Sequence, residues 1–175
     1  MEQGRPPATL PASIVPILES VVRAPGIARG LPLEFWRHED HRTWIDAFME
    51  LAVALWLCDL AEDELPRGYG LIAHLFDWEA QCQSSGFHAF SNRAAEMERI
   101  ILSYEAVGLD GEAAALKRAF AVWRDTDGDH EATVAAYDGV PHAYTVDLDR
   151  LEYLAAHFVD HADDLLYEPP EGLPG

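Results

Sequence analysis

Cysteine is almost absent from this chain. Cys58 and Cys82 are the only two in 175 residues, both lie within apolar helical patterns, and no C-x-x-C spacing occurs. A disulfide framework or a cysteine-rich zinc site is thereby excluded, and reduced core thiols are expected. Positive charge is also scarce. Twelve Lys and Arg stand against 31 Asp and Glu, for a net charge of -19, far beyond the magnitude of about 2 to 8 that keeps a small domain soluble. Such a field repels phosphates, which argues against direct binding to nucleic acid or to an anionic membrane and favours strongly basic partner surfaces. No uncharged run approaches the roughly 18 residues of a membrane span, and the N-terminus lacks the basic start and apolar run of a secretory signal, so a cytoplasmic protein is expected. Nucleophile elbow, phosphate-binding glycine loop and zinc triad are all missing, as is any convincing period-two strand.

Apolar helical periodicity is abundant: 49% of the residues are hydrophobic, enough at this length for one compact domain. The chain is organised around residues 71–109. Leu71, Leu75, Trp78 and Cys82 recur at steps of four, three and four and predict one buried stripe of a helix. Met97, Ile100, Ile101 and Tyr104 predict a second, with Glu96, Glu98, Arg99 and Glu105 turned to solvent. Gly86 and Gly108 each follow the end of a pattern, where a left-handed residue closes a helix without a Cβ clash. Phe87, His88 and Phe90 are too closely spaced to share a helical face and are expected to plug the corner between the two helices.

Around this centre, six of the eleven prolines fall in the first 32 residues and predict an irregular N-terminal arm, residues 1–42. It carries a short helix after Ser13, with Pro16 in its first turn, and an apolar strip from Leu31 to Trp36. A helix over 43–60 follows, capped by Thr43 and ended before Pro66, with Trp44, Phe48, Leu51 and Leu55 inward. Helices over 71–84, 92–107 and 111–123, the last capped by Asp110, lead to a break over 124–142 with a short helix at 130–137. A final helix over 147–166 turns Leu151, Leu154, Ala155, Phe158, Ala162 and Leu165 inward. The expected architecture is all-α, a single compact multi-helix domain of five to seven helices over 43–166, with a flexible tail over 167–175.

Negative charge accumulates towards the C-terminal end. Residues 1–42 hold five acids and five bases, 43–124 hold thirteen and six, and 125–175 hold thirteen and one, Arg150. On the last helix Asp149, Glu152, Asp160 and Asp163 fall opposite the apolar stripe, with Asp164 at its margin. Together with Asp125, Asp127, Asp129 and Glu131 they are the candidate partner-binding residues. Helical neighbours three or four apart stand about 5 to 6 Å from each other at Cβ, of the same order as successive phosphates, and the alternative is a merely solvated acidic face.

Other constellations are weaker. Asp125, Asp127 and Asp129 open like a calcium loop, but the sixth and twelfth positions hold His130 and Ala136 in place of Gly and Glu, and the match fails. His157 and His161 stand one turn apart beside Asp160 and Asp164; lacking an H-E-x-x-H context, they read as boundary histidines, with His161 flanking the buried stripe and His157 further out. No metal or cofactor is expected. Glu79, His74 and His88 could perform acid-base work if they converged on a cleft, although structural hydrogen bonds for Glu79 and His88 at the corner and a satisfied core position for His74 fit the pattern better. No catalytic residue is assigned.

The run Trp78-Glu79-Ala80-Gln81, then Ser84-Ser85-Gly86-Phe87-His88-Ala89-Phe90, the stretch from Leu116 to Trp123, Ala136-Tyr137-Asp138, Ala143-Tyr144 and Phe158-Val159-Asp160-His161 resemble the family of acidic DNA-mimic proteins. That family's C-terminal domain is otherwise catalogued as a domain of unknown function. The resemblance spans residues 70–165. It departs after Phe90, where family members carry a longer polar loop with Asn, Gly and Asp and this chain continues directly through Ser91-Asn92-Arg93. The resemblance implies a non-enzymatic, all-helical interaction protein that occupies the basic DNA-binding surface of a transcription regulator or another DNA-binding protein, and it allows a homodimer. Competing expectations are a metal-dependent or acid-base enzyme working from the 71–90 corner and a structural relative without mimic activity.

Overall fold

The computed structural model describes residues 40–56, 66–138, 140 and 148–166. The helix after Ser13, the strip from Leu31 to Trp36, Cys58 and the 167–175 tail lie outside the described residues. Those described are all-helical, with no strand among them. In chain order the helices are α1 (His41–Trp56), α2 (Arg67–Ser85), a 3-10 turn (Gly86–His88), α3 (Ala89–Asn92), α4 (Met97–Ala106), α5 (Asp110–Asp125), α6 (His130–Ala135), α7 (Leu148–Asp160) and α8 (Ala162–Leu165). Among the described residues, no helix is long and apolar enough to cross a membrane. The chain divides into two compact units, one drawn from Met1–Ala73 and Leu151–Gly175, the other from His74–Arg150.

In the first unit α1 begins at His41, two residues before the start expected at 43. Its start is fixed by Asp40 in place of Thr43: one Asp40 oxygen accepts the Thr43 N–H at 2.9 Å and the other the Thr43 hydroxyl at 2.8 Å. An aspartate satisfies orphan donors of a first helical turn as well as a threonine does, and here Thr43 is itself a donor to it. The predicted inward face holds, with Trp44, Phe48, Leu51 and Leu55 buried. Trp44 stacks on Phe48 at 6.0 Å, and Phe48 meets Phe158 of α7 at 5.6 Å. Leu151, Leu154, Ala155, Phe158, Ala162 and Leu165 are buried as their spacing predicts.

Gly68, in the first turn of α2, lies against the backbone of Leu165, so that a Cβ at Gly68 would overlap the Leu165 carbonyl carbon and oxygen. Helix propensity alone favours Gly68→Ala by about 1 kcal/mol. Because the obstruction is main chain, the expected result is the opposite sign, a loss of about 1–3 kcal/mol from overpacking, read as a lowered midpoint in urea unfolding.

In the second unit α4 rests on α5 and α5 on α6. Met97, Ile100, Ile101 and Tyr104 of α4 face inward together with Ala113, Leu116, Ala119 and Phe120 of α5. Gly108, at φ 82°, ends α4: its N–H reaches Glu105 O at 3.0 Å, and the next N–H, of Leu109, reaches Tyr104 O at 2.9 Å. This double closure requires the left-handed conformation that glycine adopts without strain. Leu109 takes the N-cap position of α5, and Asp110 the first helical position rather than the cap expected of it. Its carboxylate still favours the positive end of that helix.

The corner after α2 is plugged by Phe90, which is fully buried. Trp78 meets it edge-on at 5.4 Å, while Phe120 and Trp123 lie near-parallel to it at 6.2 and 5.9 Å. Phe87 covers the cluster from outside and touches His130. His88 is exposed and takes no part in the plug. The second helical pattern is also split, with α3 ending at Asn92 and α4 opening only at Met97.

Candidate interaction surface

Along α7, Asp149, Glu152 and Asp160 are exposed on the side opposite Leu151, Leu154 and Phe158. A continuous helix to residue 166 does not form. His161, at φ -108° and ψ 21°, interrupts it, and Asp164 N–H bonds three residues back to His161 O, which tightens the chain into the separate short helix α8. Asp164 is exposed there, on a different helix from Asp160. The Asp163 side chain lies outside the described residues. Among the described residues, Glu152 lies 3.8 Å from His41 Nδ1, with both side chains half exposed or more. Such a pair contributes little in water.

The second acidic group divides by role. Asp129 is the N-cap of α6, its Oδ1 accepting the Ala132 N–H at 2.7 Å, and Glu131 lies in the first turn of the same helix. Both favour the positive end of α6 and have an ordinary structural use. Asp125 and Asp127 are placed differently. Asp125 is the last residue of α5 and Asp127 adopts a left-handed φ of 53° just beyond it, where Gly128 N–H closes on Trp123 O at 2.8 Å. A helix C-terminus carries partial negative charge, so these two exposed carboxylates sit where the local field opposes them.

Arg150 and Arg93 turn inward, while Arg67, Arg99, Lys117, Arg118 and Arg124 stay exposed. Arg150, 6% exposed, reaches back 71 residues to Glu79, 1% exposed. Its Nε donates to Oε1 at 2.6 Å and its Nη2 to Oε2 at 3.0 Å, a bidentate pair. Tyr104 donates its hydroxyl to the same Oε1 at 2.6 Å, and Glu112 Oε2 lies 3.9 Å from Arg150 Nη1. Burial alone would lower the Arg150 pKa, but its bond to Glu79 and the nearby carboxylate charges outweigh that and raise it, keeping the guanidinium charged. Burial, then the charge of Glu79, raises both the Tyr104 phenol and the Cys82 thiol, so Cys82 is an inert core residue.

A second, partly buried pair links α2 to the turn before α4. Arg93 Nε and Nη2 donate to the two oxygens of Asp77 at 2.5 and 2.9 Å, and the Asn92 amide donates to Gln81 Oε1 at 3.2 Å. The short Ser91-Asn92-Arg93 connection is thus tied back onto α2. None of these ion pairs is visible in helical periodicity, which assigns charged residues to the solvent side. The available signal was Arg150 itself, alone among thirteen acids.

The residues of the acid-base alternative are engaged elsewhere or apart. Both Glu79 oxygens are bonded as described. His74 is held by Ser103: the Ser103 hydroxyl donates to Arg99 O at 2.8 Å, so at 3.0 Å it accepts from His74 Nδ1–H. The exposures of the paired histidines are the reverse of those expected, with His157 half-buried and His161 exposed. The break at His161 swings that side chain off the buried stripe.

No protein-family model matches the chain, and it matches neither a curated protein nor a solved structure.

Proposed function

We propose that this is a non-enzymatic interaction protein whose fixed carboxylates stand in for duplex phosphates in the basic groove of a DNA-binding protein, such as a transcription regulator. One observation carries this reading. Residues 125–175 contain thirteen acids and a single Lys or Arg, and that residue, Arg150, is buried against Glu79. The exposed Asp125, Asp127, Asp149, Asp160 and Asp164 have no Lys or Arg partner among the described residues. Helical backbone holds four of them and the closed turn after α5 holds Asp127, and a preordered array costs a partner less ordering entropy than a disordered one. The unfavourable placement of Asp125 and Asp127 at a helix C-terminus also fits carboxylates kept for something other than local stability.

The test replaces Asp149 and Asp160 by Asn, Glu152 by Gln and Asp163 by Asn in one variant. The wild-type chain, immobilised at low salt in a native lysate, is expected to retain basic DNA-binding proteins, to release them as salt rises and screens the charge, and to lose them to added duplex DNA. The variant is expected to retain none, with thermal unfolding close to wild type, because relief of repulsion between neighbouring carboxylates offsets the loss of Asp149 from the first turn of α7. Recovery of only acidic or neutral companions, or indifference to DNA, would sink the reading.

A further inference from the structure

His41 of α1 lies 3.8 Å from Glu152 of α7, and Phe48 lies 5.6 Å from Phe158. The paired positions rise together along both helices, so the two helices start at the same end. The chain therefore enters α1 beside the exposed face of α7. At 100° per residue Asp149, Glu152, Tyr153 and Asp160 share that face. Tyr153 is 43% exposed and stands one turn beyond Asp149 and next to Glu152. A ring flanked by carboxylates suits arginine better than lysine, because a planar guanidinium can stack on an aromatic face while it bonds a carboxylate.

The segment that leads into α1 has this chemistry. Residues 1–39 lie outside the described residues and contain four arginines and no lysine. Residues 20–38 hold three of them, Arg23, Arg29 and Arg37, against the single acid Glu34, in a chain of net charge -19. Reach is not limiting. From His41 back to Arg37 an extended chain spans up to about 14 Å, and back to Arg29 about 40 Å, whereas Glu152 and Asp160 are separated by about 12 Å of helical rise.

We propose that residues 20–38 dock on the outer face of α7 of the same molecule, with Arg37 over Tyr153 between Asp149 and Glu152, and Arg29 at Asp160. A short tether holds these arginines at high local concentration, while exposed ion pairs are individually weak, so the docking is reversible and sensitive to salt. Its consequence rests on the proposed function: the segment competes in cis with a basic partner and weakens that partner by the reciprocal of the undocked fraction.

Limited trypsin digestion of the full chain at low salt, read by mass spectrometry, tests the docking without any partner. Cleavage after Arg29 and Arg37 is expected to be at least about threefold faster in Glu152→Gln/Asp160→Asn, as for an undocked fraction of about a third in wild type. The equally charged Glu98→Gln/Glu105→Gln, altered on α4, should cleave as wild type does. Equal rates in wild type and the α7 variant overturn the docking. Protection that grows with protein concentration also overturns it, assigning the face to the same segment of a second copy. For the competition, Arg29→Gln/Arg37→Gln should bind fluorescent deca-lysine at least about threefold tighter than the charge-matched Arg99→Gln/Lys117→Gln. Equal affinities of these two variants overturn the competition. Failure of the chain to capture DNA-binding proteins would leave the trypsin result untouched, so the two readings fail separately.

Discussion

Arg150→Met is expected to cost about 3–5 kcal/mol of stability, the penalty of removing one partner from a buried ion pair. Glu79 would keep its bond from Tyr104 but lose both guanidinium bonds, and Glu112 would lose the cation 3.9 Å away. The cost is that of stranding charge, not of losing attraction, and this distinguishes two variants. Glu79→Leu combined with Arg150→Met removes both members and should recover part of the loss, the remainder being the cost of the Tyr104 hydroxyl left without its acceptor and of Glu112 left without its cation. Urea unfolding of the two single variants and the double variant measures the coupling. A single Arg150→Met change of under about 1 kcal/mol would mean that water reaches the pair after all.

Phe90→Ala is the second large effect, again about 3–5 kcal/mol. The side chain is fully buried between Trp78, Phe120 and Trp123, at ring separations of 5.4, 6.2 and 5.9 Å. Its removal forfeits transfer free energy, leaves a cavity between rigid rings that collapse poorly, and takes away aromatic contacts worth about 0.5–1.5 kcal/mol a pair. Phe87 touches the same cluster from a half-buried position and serves as the internal control, since Phe87→Ala should cost far less. Trp78 and Trp123 report the change directly by fluorescence. Equal losses at positions 87 and 90 would show that the rings rearrange to fill the space.

These two sites show where sequence reasoning reached and where it stopped. Apolar spacing found the inward faces of α1, α4 and α7, because burial of a stripe depends on residues a few positions apart. It also found Gly86 and Gly108, whose φ values of 55° and 82° follow from chain reversal. Leu71, assigned to the α2 stripe, is only half-buried, because Ile72 and Phe76 beside it, together with Asp77 and Glu79, turn α2 inward over more than one face. That breadth follows from guanidinium partners 16 and 71 residues away, and no local pattern encodes a partner so distant. Caps were misassigned by one to three residues, Asp40 for Thr43 and Leu109 for Asp110, since several neighbouring side chains can satisfy the same orphan N–H groups. Those of the nine acidic candidates whose side chains are described are exposed. Their division into caps, a helix end and an open face depends on the α5–α6 turn and on the break at His161, neither of which periodicity resolves.

The rise of α7 sets how much of a duplex one copy could impersonate. Thirteen residues extend about 20 Å, a length over which B-DNA carries roughly a dozen phosphates, whereas the helix offers three exposed carboxylates, at 149, 152 and 160. So sparse a rod gathers no condensed ion atmosphere of the polyelectrolyte kind. On the proposed function its attraction would rest on matching a few lysine or arginine positions at the right intervals, and a plot of log affinity against log salt should slope much less steeply for this protein than for duplex DNA on the same partner.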